Sequence, residues 1–311
     1  MAKQYPETLL EFEHWFRTEE TCRDYILRLR WPNGFSCPRC AHRQPWRTRQ
    51  GILLCGACRK EVSVTAGTIF HGSHLPLRVW FRVIWAITNS KAGVSALGLQ
   101  RLLGLGSYRT AWTCLHKLRR AMVRPKREQL TGHVEVDETV VGGRRRGGPG
   151  WRLDERKILV AIAVEVRGKG MGRVRLHCIP DTSQRSLTKF VQQTIAPGSQ
   201  VITDGEASFN QIKELGYGHD PTPLANKGRQ AAKAVLPRVH RVAALLKRWL
   251  MGVHHGRAAR EQMDHYLEEF AFRFNRRLSG HRGMLFFRLI QQCVALAPTP
   301  YKRIKSDAQA R

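Results

Sequence analysis

A chain of 311 residues, 42% of them hydrophobic, can bury a real core and build two or three compact units. Its 53 Lys and Arg against 24 Asp and Glu leave a formal charge of +29, a field that calls for a polyanionic partner and fits nucleic acid best. No run of about eighteen apolar residues is present, so a membrane-spanning helix is excluded, and an N-terminal stretch carrying Glu7, Glu11 and Glu13 does not suit a secretory leader, which makes the cytoplasm the expected compartment.

In chain order, Leu9, Leu10, Phe12, Trp15 and Phe16, then Tyr25, Ile26 and Leu29, have the spacing of short amphipathic helices within residues 1–33. Residues 34–74 are rich in Gly, Cys and Thr and lack helical periodicity, which predicts hairpins around two Cys-x-x-Cys knuckles. Cys37 and Cys40, then Cys55 and Cys58, are separated by fourteen residues, so four thiolates can meet around one structural Zn²⁺ with no position left for a substrate. The other cysteines, Cys22, Cys114, Cys178 and Cys293, lie singly in apolar or helical stretches and read as reduced thiols.

Residues 75–128 turn helical. Val79, Trp80, Val83, Ile84 and Ile87 make one apolar stripe, and the Gly104-Leu-Gly-Ser107 turn separates a helix over 95–103 from one over 108–122. Between Lys91 and Arg127 stand nine Lys or Arg and no acid, the composition of a helix-turn-helix-like DNA-binding segment. The second helix would enter the groove, with Ser107 as its N-cap, Tyr108, Arg109, Thr110 and Thr113 at its reading end, and Lys117 and Arg120 farther along. The plainer reading is a basic bundle, with Trp112 and Leu115 in its core.

From residue 129 to 297 the pattern is that of an α/β domain. Strands over 133–141, 158–166 and 174–179 imply a meander, followed by a helix over 186–195, a short strand over 200–203 and helices over 210–215, 239–250 and 261–277. Alternation in the first strand puts Glu135, Asp137 and Thr139 on one face and Val134, Val136 and Val140 on the other, so Glu138 points away from Asp137. Asp204 closes the short strand, and Gly205 lets the chain turn after it. Two such carboxylates can hold two Mg²⁺ or Mn²⁺ ions about 4 Å apart for displacement at a phosphodiester. Residues 221–260 hold nine Lys or Arg and no acid before Arg260's neighbour Glu261, with Lys227, Arg229, Arg238, Arg241 and Arg248 suited to tracking phosphates, and Arg273, Arg276 and Arg277 extend that surface. Arg144, Arg145 and Arg146 form a further basic loop. The segment 298–311 reads as a loose polar tail.

The ordered series Gly132-His-Val-Glu-Val-Asp-Glu-Thr-Val-Val-Gly-Gly143, Ile202-Thr-Asp-Gly205, His240-Arg-Val with Lys247-Arg-Trp-Leu250, His254-His-Gly256 and the Phe270–Arg277 segment resembles the insertion-sequence transposases that join a zinc ribbon to a DDE-type catalytic domain. Thr65-Ala-Gly-Thr-Ile-Phe70 and the Leu75-Pro-Leu segment are similar to the N-terminal half of the same family. The resemblance implies an RNase H-like mixed sheet flanked by helices, and Asp137, Asp204 and a third, helical ligand as the holders of a divalent pair. That third position precedes a lysine by seven residues and is usually glutamate or asparagine; here it is His240, with Lys247 two turns on and set to contact the terminal phosphate.

Such an enzyme would bind the terminal inverted repeats of its element in double-stranded DNA, cleave there, and join the freed 3′-hydroxyl to target DNA, as a homo-oligomer that synapses two ends beside the bacterial nucleoid. Two rivals share these features: a catalytically weakened DNA-binding regulator derived from a transposase, and a structure-selective nuclease on the same fold.

Overall fold

Helix starts are set by the side chains that precede them. Thr8, Thr18, Ser95, Ser107 and Ser183 each accept a backbone N–H from the residue three positions on, satisfying a donor that the first helical turn leaves open. A computed structural model describes residues 3–49, 51–124, 127–142, 157–221, 236–255 and 259–306. The chain divides into two units, one formed by residues 1–124 with 279–310, the other by 125–278.

In the first unit, α1 (Leu9–Trp15) and α2 (Glu19–Arg30) lead into a small antiparallel sheet of β1 (Pro45–Arg47), β2 (Leu53–Cys55) and β3 (Glu61–Val62). Then come α3 (Leu77–Asn89), α4 (Ala96–Leu103) and α5 (Tyr108–Ala121), with Gly104 at φ 60° ending α4 in the left-handed conformation that glycine adopts at little steric cost. The core of this unit is aromatic: Phe12, Phe16, Phe81 and Trp85 surround Phe286 with ring centroids 5.4–5.8 Å away. Phe286 belongs to α9 (Arg282–Ala295), which packs on α3, α2 and α5. That helix falls in the stretch expected to finish the α/β domain at residue 297; it instead completes the N-terminal unit, because its Leu285, Phe286, Leu289 and Ile290 are buried there. The expected loose tail is also shorter: α10 (Tyr301–Ser306) packs on α5 with Ile304 fully buried.

The second unit is a five-stranded mixed sheet in the order β6-β5-β4-β7-β8, built from β4 (His133–Val141), β5 (Ile158–Arg167), β6 (Gly170–Ile179), β7 (Gln200–Thr203) and β8 (Gly218–Pro221). The first three strands make the expected antiparallel meander, whereas β7 and β8 run parallel to β4. Alternation along β5 sends Leu159, Ala161 and Ala163 to one face and Ile158, Val160, Ile162 and Val164 to the other, and both faces are buried. The first face packs on α6 (Gln184–Thr194) and the 3₁₀ helix Ala207–Leu215; the second packs on α7 (Pro237–His254) and α8 (Met263–Phe274). The fold is thus a mixed sheet flanked by helices, of the RNase H-like kind, in a chain that also carries a zinc ribbon and a basic helical segment.

Candidate active site

Position on β4 decides which acid meets which helix. Glu135, Asp137 and Val141 share the face covered by α7, while Val134 and Val136 enter the core beneath α6. The face carrying Asp137 is therefore not a solvated one: Asp137 is only 18% exposed in its side chain. Parallel pairing sets His133 opposite Gln200, Val134 opposite Val201 and Glu135 opposite Ile202; continued two positions, that register brings Asp204 level with Asp137. Gly205, at φ 87°, turns the chain there, and Thr203 Oγ1 steadies the turn by accepting from Gly205 N and bonding His219 Nε2 at 2.9 Å.

Helix α7 supplies the remaining groups. His240, in its first turn, places Nδ1 3.3 Å from Asp137 Oδ2. Lys247 lies two turns farther along, exposed but within the field of Asp137; burial lowers its pKa and that carboxylate works against the lowering. Asp137 is the common neighbour of residues spread over 110 positions of sequence: His240 lies against it, and Asp204 and Lys247 are close enough for their charges to act with it.

The electrostatics of that place are those of crowded acids. Burial, then the charges of Glu138 and Asp204, push Asp137 up to about 7, against a bond to its Oδ1 from Glu138 N at 2.9 Å. Glu138 is likewise pushed up to about 7 by burial and by Glu206 and Asp204, and Glu206 is raised by burial and Asp204. Two carboxylates and an imidazole are donors that a divalent cation accepts, the imidazole preferring softer ions than Mg²⁺, and the surplus negative charge is what such a cation would relieve. Glu138 and Glu206 are the acids that strand alternation alone does not bring to the site; their proximity in sequence to Asp137 and Asp204 is the one signal of them.

The second cluster is in the first unit. The Sγ atoms of Cys37, Cys40, Cys55 and Cys58 all lie within 4.8 Å of one another, with Cys37–Cys58 at 3.6 Å and Cys40–Cys55 at 3.5 Å. Arg39 N donates to Cys37 Sγ at 3.4 Å, a backbone bond that favours the thiolate. Four sulfurs at this separation are the ligand set of a structural Zn²⁺.

Comparison with known proteins matches residues 17–61 to the transposase zinc-ribbon domain and residues 129–275 to the ISXO2-like transposase domain. The chain belongs to the insertion-sequence transposases. A protein of Halobacterium salinarum described as an uncharacterized protein in transposable element ISH50 is 25% identical over 289 residues, which is 83% of this chain and 91% of the relative.

For a member of a DNA-acting family the fate of each basic side chain matters. On α5, Tyr108 is 53% exposed and Arg109 is exposed, stacked 5.1 Å from the centroid of Tyr301, while Thr110 and Thr113 are half-buried and Thr113 Oγ1 donates to Arg109 O. Arg120 is half-buried as well. Lys117 departs from the expected outward role: its ammonium donates to Ile69 O at 3.3 Å beside the Trp80 ring, inside the first unit.

On α7, Arg241, Lys247 and Arg248 are exposed. Arg238 is not available to phosphates, being bound to Glu135 and to the carbonyls of Gly168 and Gly170. Arg277 is likewise a brace, donating to the carbonyls of Met171, Gly172 and Phe274, and Arg276 stacks on Phe272 and bonds its carbonyl. Arg273 lies 3.7 Å from Glu269, one helical turn away. Arg144, Arg145, Arg146, Lys227 and Arg229 lie outside the described residues.

Proposed function

We propose that the chain is an active transposase that binds the terminal repeats of its element, cleaves the phosphodiester at each end and joins the 3′-hydroxyl to target DNA. The observation that supports this reading is the approach of His240 Nδ1 to 3.3 Å from Asp137 Oδ2, with the parallel register of β4 and β7 carrying Asp204 level with Asp137. These three side chains would hold a pair of Mg²⁺ or Mn²⁺ ions. When bound, such ions activate the attacking oxygen and stabilise the leaving one in an in-line displacement.

The chain's own groups do the rest. Lys247, on the face of α7 that carries His240, meets the terminal phosphate as a point charge. Exposed Arg241 and Arg248, seven residues apart on that helix, guide the flanking backbone, and Tyr108 and Arg109 at the start of α5 meet base edges of the repeat. Both DNA ends must be held at once, so the working form is a homo-oligomer. A neutral imidazole in place of an acid leaves the site one negative charge poorer, which favours Mn²⁺ over Mg²⁺.

End cleavage of a duplex carrying the element's own terminal repeat, with wild type and Asp137→Ala compared in Mn²⁺, tests the reading. We expect cleavage by wild type and a loss of at least about 10³-fold in the variant, with repeat binding retained. Repeat binding without cleavage in either metal by the wild type would favour the regulator, and equal cutting of unrelated branched DNA would favour the nuclease.

A further inference from the structure

Helix α7 begins without a cap of its own. Its N-cap residue is Leu236, whose side chain has nothing to accept with, and Pro237 follows as the first helical residue and has no N–H. His240 N already bonds Leu236 O at 3.2 Å, so the open donors of the first turn are those of Arg238 and Val239. Both go to one oxygen of Glu135: Oε2 accepts from Arg238 N at 2.8 Å and from Val239 N at 2.9 Å, while Oε1 accepts from Arg238 Nη1 at 2.8 Å. Arg238 Nε and Nη2 donate to the carbonyls of Gly170 and Gly168 at the turn between β5 and β6, at 2.9 and 2.7 Å. Glu135 is 2% exposed, and a buried carboxylate is retained only when fully bonded in this way.

The geometry points to Glu135 and Arg238 as positioning residues that hold the start of α7 on the sheet so that His240 reaches Asp137. Glu135 and Asp137 stand two positions apart on one face of β4, and Arg238 and His240 stand two positions apart on the helix, so strand and helix meet at two successive contacts. The first contact is a charged lock in which each guanidinium nitrogen of Arg238 makes a bond. The second is a 3.3 Å approach between two proposed metal ligands, which the lock pre-sets before an ion arrives. The inference rests on the transposase reading of the site.

Mn²⁺ binding to the full chain, followed by electron paramagnetic resonance with Asp137→Ala as the control, tests it together with thermal melting. We expect Glu135→Ala to weaken Asp137-dependent Mn²⁺ binding about tenfold or more, and Glu135→Gln, which keeps an oxygen for the two N–H groups, to restore most of it. In a His240→Ala background Glu135→Ala should bring no further weakening, since its effect acts through that imidazole. If Glu135→Ala does not fold, Arg238→Lys poses the same question, with a weakening of about threefold expected, because an ammonium cannot reach Glu135 and both carbonyls at once. Equal weakening with and without His240, or none in any variant, would overturn the positioning role and leave the transposase reading intact. Absence of Asp137-dependent Mn²⁺ binding in the wild type would overturn both.

Discussion

Glu165 shows how one buried acid can be held by its neighbours. Arg173 donates to it from Nη2 at 2.6 Å, from Nε at 3.0 Å and from its backbone N at 2.9 Å, and Thr131 N adds a bond at 3.3 Å. Burial pushes the carboxyl up, but the combined bonds from Arg173 and Thr131 outweigh it and hold the pKa below the ordinary glutamate value of 4.5. An acid whose pKa is lower folded than unfolded contributes stability that is present above the unfolded value and is lost as pH falls through the folded one. Melting of the protein between pH 6 and pH 3 should therefore show an acid-side loss that Glu165→Gln flattens. Removing the partner is worse than neutralising the acid: Arg173→Met should cost about 3 kcal/mol in urea melts at pH 7, because Glu165 is then left buried with two backbone N–H bonds and the mostly exposed Arg167 at 3.7 Å.

Among elements, α3 and α7 share a device, since neither has a side-chain cap of its own and each is capped by a carboxylate from a distant element. For α3 the donor helix is α2: Glu19 accepts from Leu77 N at 2.7 Å and Arg78 N at 3.1 Å. Glu19→Ala should lower stability by about 1–2 kcal/mol, readable as a fall of a few degrees in Tm, with Glu19→Gln recovering part of it. For the ribbon, β1–β3 are strands of two or three residues whose buried groups are few, so the Cys₄ cluster supplies the order. Chelation of Zn²⁺, or Cys40→Ser, should open residues 34–62 to protease while the circular dichroism of the α/β unit is kept.

The knuckles were legible in the sequence because their ligands sit in two short pairs, and β4 was legible because alternation is a local signal. His240 has no such local signal: the family resemblance singles it out, by its seven-residue spacing to Lys247. Lys117, Arg238 and Arg277 read as surface charge because nothing local tells whether a basic side chain will find a carbonyl far away in the chain; Arg238 and Glu135 are 103 residues apart. The strand β8, a sheet edge containing His219 and Pro221, and the allegiance of α9 were hidden for a like reason, since each depends on a partner remote in sequence.

At the scale of the whole molecule, a charge of +29 makes DNA affinity a function of salt. Binding to a random duplex should fall by about 10³-fold or more between 50 and 200 mM salt if six or more phosphates are neutralised. Arg241→Ala with Arg248→Ala, at exposed positions of α7, should reduce the log–log slope by about 2 and leave Tm unchanged, as fluorescence anisotropy across a salt series would record.

The chain leaves the N-terminal unit at residue 124 and returns to it at 279, and Phe286 of the returning helix lies at the centre of the aromatic core. During synthesis on the ribosome, Phe12, Phe16, Phe81 and Trp85 must then wait, without the ring that they surround, for more than 150 residues to emerge. A messenger cut short after the α/β unit yields a polypeptide whose N-terminal aromatic rings stay exposed, so a gene shortened at its 3′ side loses the packing of its first unit along with its last helices.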